Sequence, residues 1–198
     1  TKQITCTPER ERRVDFRADG RAVVYDSERG GIWSIYESEM VNDKEEVMTY
    51  CTEIRERLLT DGVTTSFQPL YSPDGKKVAY LQNREAVCIM DLKSGKTKVA
   101  MDAKYNYSYS DGDQYFTWSP DSKWLLADYM GNGGWNNVDV ALIDAEGKEE
   151  PVNLTQSGYT DSHARWVMGG KAMIFASDRA GYRSHGSWGS HRDVYITF

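Results

Sequence analysis

The chain has 198 residues, with 24 Lys and Arg against 30 Asp and Glu, a formal net charge of −6 and 12% aromatic residues. That length is one domain's worth of chain with room for an ordinary core. An acidic balance without a basic run excludes nucleic acid as an expected partner, since that partner needs a positive patch. The longest apolar runs, such as Ala22-Val23-Val24-Tyr25 and Val140-Ala141-Leu142-Ile143, fall far short of the roughly 20 residues that span a bilayer, so no membrane insertion is expected. A chain that opens on Thr1 is read as a processed product or a piece of a longer protein.

In chain order, Lys2-Gln3-Ile4-Thr5 comes first. It matches Val152-Asn153-Leu154-Thr155 in pattern and in distance to the next aromatic, and is read as an outer strand over 2–6 of the last repeat or of a missing one. A repeated unit follows: an aromatic, a tight turn and an apolar strand. Its copies are Phe16-Arg17-Ala18-Asp19-Gly20, Tyr71-Ser72-Pro73-Asp74-Gly75, Trp118-Ser119-Pro120-Asp121-Ser122 and Trp166-Val167-Met168-Gly169-Gly170. Gly takes positive φ without a Cβ clash and Asp bonds its own backbone, so each turn joins two antiparallel strands.

The second strands open on a basic residue and continue apolar, at Arg21–Tyr25, Lys77–Leu81, Lys123–Ala127 and Lys171–Phe175; apolar on both sides, they are expected to be covered on both faces. Third strands are placed at Ile32–Tyr36, Ala86–Met90, Val138–Ile143 and Asp193–Ile196. Weaker fourth strands are placed at Thr52–Leu59, Lys96–Met101 and Pro151–Thr155. The segment from Asp43 to Leu58 fits both an amphipathic helix and an edge strand, and its repeat position favours the strand.

A four-stranded unit of this length is the signature of a β-propeller blade. The expected fold is all-β, a propeller of four blade repeats, each of four antiparallel strands, as a segment of a larger propeller. The blades are placed at about 8–60, 66–102, 113–156 and 161–198. Cys6, Cys51 and Cys88 are odd in number and widely spaced, which gives neither a disulfide framework nor a Cys-x-x-Cys site. All three are expected as buried strand residues.

The stretch Tyr71-Ser72-Pro73-Asp74-Gly75-Lys76-Lys77-Val78-Ala79-Tyr80 resembles the Ser-Pro-Asp-Gly repeat of TolB, the tricorn proteases and the prolyl-oligopeptidase group. The segments from Tyr107 to Pro120 and from Ser177 to Gly189 resemble the propeller region of tricorn-like serine peptidases of Bacteroides-type bacteria. Two features depart from the family pattern: four blades instead of six or seven, and Met168-Gly169-Gly170 in place of the last Pro-Asp-Gly. The resemblance implies a non-catalytic propeller that handles or gates peptides for a catalytic core elsewhere, with the peptidase and PDZ-like domains of the parent chain as partners. It also implies a periplasmic or exported location, with the cytoplasm as the alternative. A stand-alone TolB-like module that docks another protein is the second reading.

Repeat phase places Arg13, Gln68, Tyr115 and His163 at one position of the innermost strands, as a ring suited to a peptide backbone or carboxylate; hydrogen bonding between neighbouring blades is the competing account. The loop from Ser184 to His191 gathers Ser184, His185, Ser187 and Ser190 around two glycines. It lacks a Gly-x-Ser-x-Gly elbow, so no catalytic residue is assigned, and Arg183, His185 and Trp188 are read as a peptide-contacting surface, with a structural polar loop as the competing account. Asp111-Gly112-Asp113 with Asp102 offers oxygen ligands but not EF-hand spacing, and is read as turn chemistry, with no metal and no cofactor. The motifs Ser27-Glu28-Arg29-Gly30-Gly31 and Ser177-Asp178-Arg179-Ala180-Gly181 are read as charged turns whose Arg is held by a carboxylate. Open blade edges make self-association an expectation.

Overall fold

The computed structural model describes residues 1–106, 114–131, 137–181 and 191–198. Among them lie fifteen strands in four antiparallel sheets and only short 3-10 turns. The first sheet runs in order through β1 (Glu11–Phe16), β2 (Ala22–Ser27), β3 (Ser34–Met40) and β4 (Ile54–Leu58). The second runs through β5 (Ser66–Tyr71), β6 (Lys77–Gln82), β7 (Ala86–Asp91) and β8 (Thr97–Met101). The third comprises β9 (Phe116–Trp118), β10 (Trp124–Tyr129), β11 (Asp139–Asp144) and β12 (Val152–Asn153). The fourth has three strands, β13 (Asp161–Val167), β14 (Ala172–Ser177) and β15 (Asp193–Thr197). Every sheet is a meander of neighbouring strands. The chain forms two compact units, Thr1–Lys98 and Val99–Phe198, divided inside β8.

The turns work as their residues dictate. Ser72 donates its hydroxyl to Asp74 at 2.6 Å and accepts the Lys77 amide at 2.9 Å; Ser119 does the same with Asp121 at 2.6 Å and the Trp124 amide at 3.0 Å. Gly75 closes its turn at φ +68°, and a Cβ there would sit 3.0 Å from Arg17 Cγ. Ser122 takes the same left-handed place at φ +61°. We expect Gly75→Ala to cost about 1–2 kcal/mol from the left-handed backbone, read as a lower urea midpoint; an unchanged midpoint would show that the turn relaxes.

All six residues of β2 are buried, as expected for a strand covered on both faces. In the first unit, Ala22 and Val24 of the first sheet pack with Tyr71 and Val78 of the second, and Ile35 packs with Tyr80, Cys88 and Met90. In the second unit, Leu126 and Val140 of the third sheet pack with Ala164, Met173 and Phe175 of the fourth.

Two local expectations change, and a third, the edge strand before Leu59, holds over Ile54–Leu58. Residues 2–6 form no strand. Ile4, the one strongly apolar side chain of its segment, packs against the cluster of Val23, Tyr25, Met40, Met48 and Cys51, and the Lys2 ammonium donates to the Cys51 carbonyl. A single apolar anchor fixes the segment there without a ladder. Between Asp43 and Leu58, a 3-10 turn at Met48–Tyr50 precedes β4, so Met48 and Cys51 owe their burial to the turn. The cysteines divide accordingly: Cys88 is buried in β7, Cys51 is buried outside a strand and Cys6 is exposed.

Candidate functional site

Three inner strands carry the same irregularity. Register slips between Arg12 and Asp15 in β1, between Phe67 and Leu70 in β5 and between Ser162 and Arg165 in β13. Within these bulges Arg13, Gln68 and His163 have φ of +50°, +52° and +57°. A left-handed backbone is costly for residues with a Cβ, and a bulge re-aims its side chain, so each needs something to hold it. In each unit a buried carboxylate does so.

In the first unit that carboxylate is Asp26 on β2, which is fully buried. Its Oδ2 accepts from Arg13 Nη1 at 3.0 Å and from the Gln68 amide at 3.2 Å, and its Oδ1 lies 3.5 Å from Arg12 Nε. The Arg12 guanidinium lies 3.6 Å from the Trp33 ring centre, and Phe67 completes the stack 6.3 Å from Trp33. Burial raises the Asp26 carboxyl above its ordinary range, against the pull of the Gln68 amide and of Arg13 and Arg12.

In the second unit the carboxylate is Asp128 on β10. Val23 pairs with Phe16 and Leu125 with Trp118, and Asp26 and Asp128 each lie three residues further on, so the two acids occupy one repeat position. Asp128 Oδ1 accepts the His163 amide at 2.9 Å, while Oδ2 lies 3.8 Å from His163 Nδ1. Tyr115, just before β9, accepts the Asp128 amide at 2.9 Å and lays its ring 4.8 Å from the imidazole. Burial pushes the Asp128 carboxyl up to about 7, opposed by the His163 amide and Arg192. Desolvation lowers the His163 imidazole, with Arg192 and Arg165 adding to it.

Of the four residues that repeat phase places in one ring, the structure brings Arg13 with Gln68 to Asp26 and Tyr115 with His163 to Asp128. The acids were missed. Their signal was an Asp closing an otherwise apolar second strand, in Val24-Tyr25-Asp26 and Leu126-Ala127-Asp128. Arg183, His185 and Trp188, with Ser184, Ser187 and Ser190, lie outside the described residues, as do Asp111 and Asp113. Among the described residues no group of three His, Cys, Asp or Glu converges to hold a metal ion.

The two Ser-acid-Arg turns are built alike. Arg29 reaches Ser27 Oγ at 3.2 Å, the Glu11 carboxylate at 3.2 Å and Glu56, and its guanidinium lies 4.2 Å from the Tyr36 ring centre. Arg179 reaches Ser177 Oγ at 2.9 Å and Asp161 at 2.6 Å, with Tyr195 at 4.9 Å. Glu11 pairs with Ser27, and Asp161 with Ser177, so each Arg ties the third strand back to the start of the first.

No family model matches the chain. TolB from Acinetobacter baumannii superposes on 98% of it with a TM-score of 0.63 at 18% identity. The tricorn protease covers 96% with a TM-score of 0.67 at 16% identity. These sheets are β-propeller blades. The β-propeller domain of the Trilobed protease from Pyrococcus furiosus, described as having an open velcro topology, covers 96% with a TM-score of 0.56 at 18% identity. The chain spans 42%, 18% and 54% of these three chains. Identities this low carry the propeller fold, of the type seen in TolB and the tricorn protease. In propeller terms, each carboxylate lies on the second strand of one blade and holds the inner-strand bulge of the next.

Proposed function

We propose that the chain is a non-catalytic propeller segment that holds or gates peptides for a peptidase core on another part of its parent protein. The bulge apices carry this reading. Arg13, Gln68 and His163 carry guanidinium, amide and imidazole groups on bulges that the buried carboxylates contact, and Tyr115 adds a phenol beside His163. Those groups suit peptide carbonyls and carboxylates, and fixing them beforehand lowers the ordering cost of binding. The likeness to the tricorn protease supports the peptidase context, and an exported location accompanies it.

Calorimetric titration of the 198-residue chain with short mixed-sequence peptides tests the reading. We expect weak binding that falls at least several-fold in Arg13→Ala and in His163→Ala, with no peptide cleavage. Equal affinity in both variants would remove the apices from the site. Tight binding of an intact folded protein without peptide binding would favour the second reading, a TolB-like interaction module.

A further inference from the structure

We propose that Asp128 and His163 form a proton-operated joint between the third and fourth blades, in which protonation of the carboxyl sets how firmly the β13 bulge is held. The joint has one carboxylate, reached from the neighbouring blade through the bulge amide at 2.9 Å and the imidazole at 3.8 Å. The corresponding carboxylate of the first blade differs in its counter-charges. Asp26 faces Arg13 at 3.0 Å and Arg12 at 3.5 Å, both permanently charged, whereas Gln114 and Tyr115 stand at those two positions in the third blade. Its charged neighbour there is Arg192, and the group that reaches it from the bulge is an imidazole at 3.8 Å, the side chain that titrates near neutrality.

The surroundings are consistent with one mobile proton. From β13, His163 and Arg165 face the joint; Tyr115 approaches from before β9 and Arg192 from before β15. On β11 the nearest acid, Asp139, is engaged by Asn153 at 2.8 Å and Thr155 at 2.9 Å. Arg192 donates to Ser162 Oγ at 3.0 Å, which leaves the Ser162 hydroxyl proton for Nδ1 of a neutral imidazole 3.1 Å away. The carboxyl proton then belongs on Asp128 Oδ2, facing that ring. On acidification the first proton goes to Asp128 and the second to His163, so the joint passes from anionic to neutral to cationic beside Arg192 and Arg165.

The sign follows from linkage. Asp128 has a folded value of about 7 against 3.8 for the free side chain, so its contribution is fully present below the unfolded value and is lost as pH rises through the folded one. His163, lowered below 6.5 on folding, acts in the opposite direction, losing stability as pH falls. Asp128→Asn keeps an acceptor for the bulge amide and leaves His163 in place, so comparison with the wild type isolates the carboxyl. Denaturant unfolding of the 198-residue chain between pH 5 and 9 should show the ratio of wild-type to variant unfolding constants rising by up to about tenfold per pH unit towards pH 7 and levelling above it. Parallel profiles would overturn the proposal. Should the variant fail to fold, carboxyl NMR titration of the wild type decides: an Asp128 midpoint near 7 supports the joint, and one near 4 overturns it.

Discussion

Replacing Asp26 by Ala is expected to destabilise the first unit by about 3–5 kcal/mol, the cost of removing one member of a buried charged cluster. Two groups lose their acceptor at once, the Arg13 guanidinium and the Gln68 amide in its left-handed bulge, and Arg12 loses its ion-pair partner. Asp26→Asn, which keeps an oxygen for the Gln68 amide but sets an NH2 beside a guanidinium, should cost roughly 1–3 kcal/mol. Hydrogen exchange of the β1, β2 and β5 amides reports this unit directly, and exchange in Asp26→Ala unchanged from the wild type would show that the bulges hold themselves.

Glu37→Ala is the second large effect, again about 3–5 kcal/mol. Glu37 points from β3 of the first blade with no exposed side chain, accepts the Tyr71 hydroxyl of the second at 2.7 Å and accepts from Arg57 Nε at 2.6 Å. Desolvation, then the Glu37 charge and hydrogen bond, push the Tyr71 phenol well above its ordinary range, so it stays a donor throughout the working pH range. Tyr71→Phe removes that donor and leaves an oxygen of Glu37 buried, for about 1–3 kcal/mol. If Glu37→Ala cost no more than Tyr71→Phe, the Arg57 side of the interaction would contribute nothing and the expected excess would be refuted.

The strand pattern was legible because each blade announces itself through an aromatic, a Ser-Pro-Asp, Asp-Gly or Gly-Gly turn and an apolar second strand. Strand ends shifted where polar residues continue a ladder. Asp26 and Ser27 extend β2 past its apolar run because Arg12 and Glu11 pair opposite them. The clasp of Arg29 and Arg179 was readable because its pattern recurs at one repeat position. The carboxylates were not recognised: an Asp inside a strand reads as a flaw until the next blade brings an amide to it, and that contact joins residues 42 positions apart in one unit and 35 in the other. Nor does the sequence show that the segment around Ile4 is held by one side chain instead of a ladder, since a single apolar residue between polar ones fits both.

The most direct measurement of the central claim is an amide NMR titration of the 198-residue chain with a short mixed-sequence peptide. Peptide handling by the bulge apices and the neighbouring Tyr115 predicts shifts concentrated at Arg13, Gln68, Tyr115 and His163, saturating together in each unit and lost in Arg13→Ala for the first and His163→Ala for the second. Saturable shifts confined to other loops, or none at millimolar peptide, would contradict it.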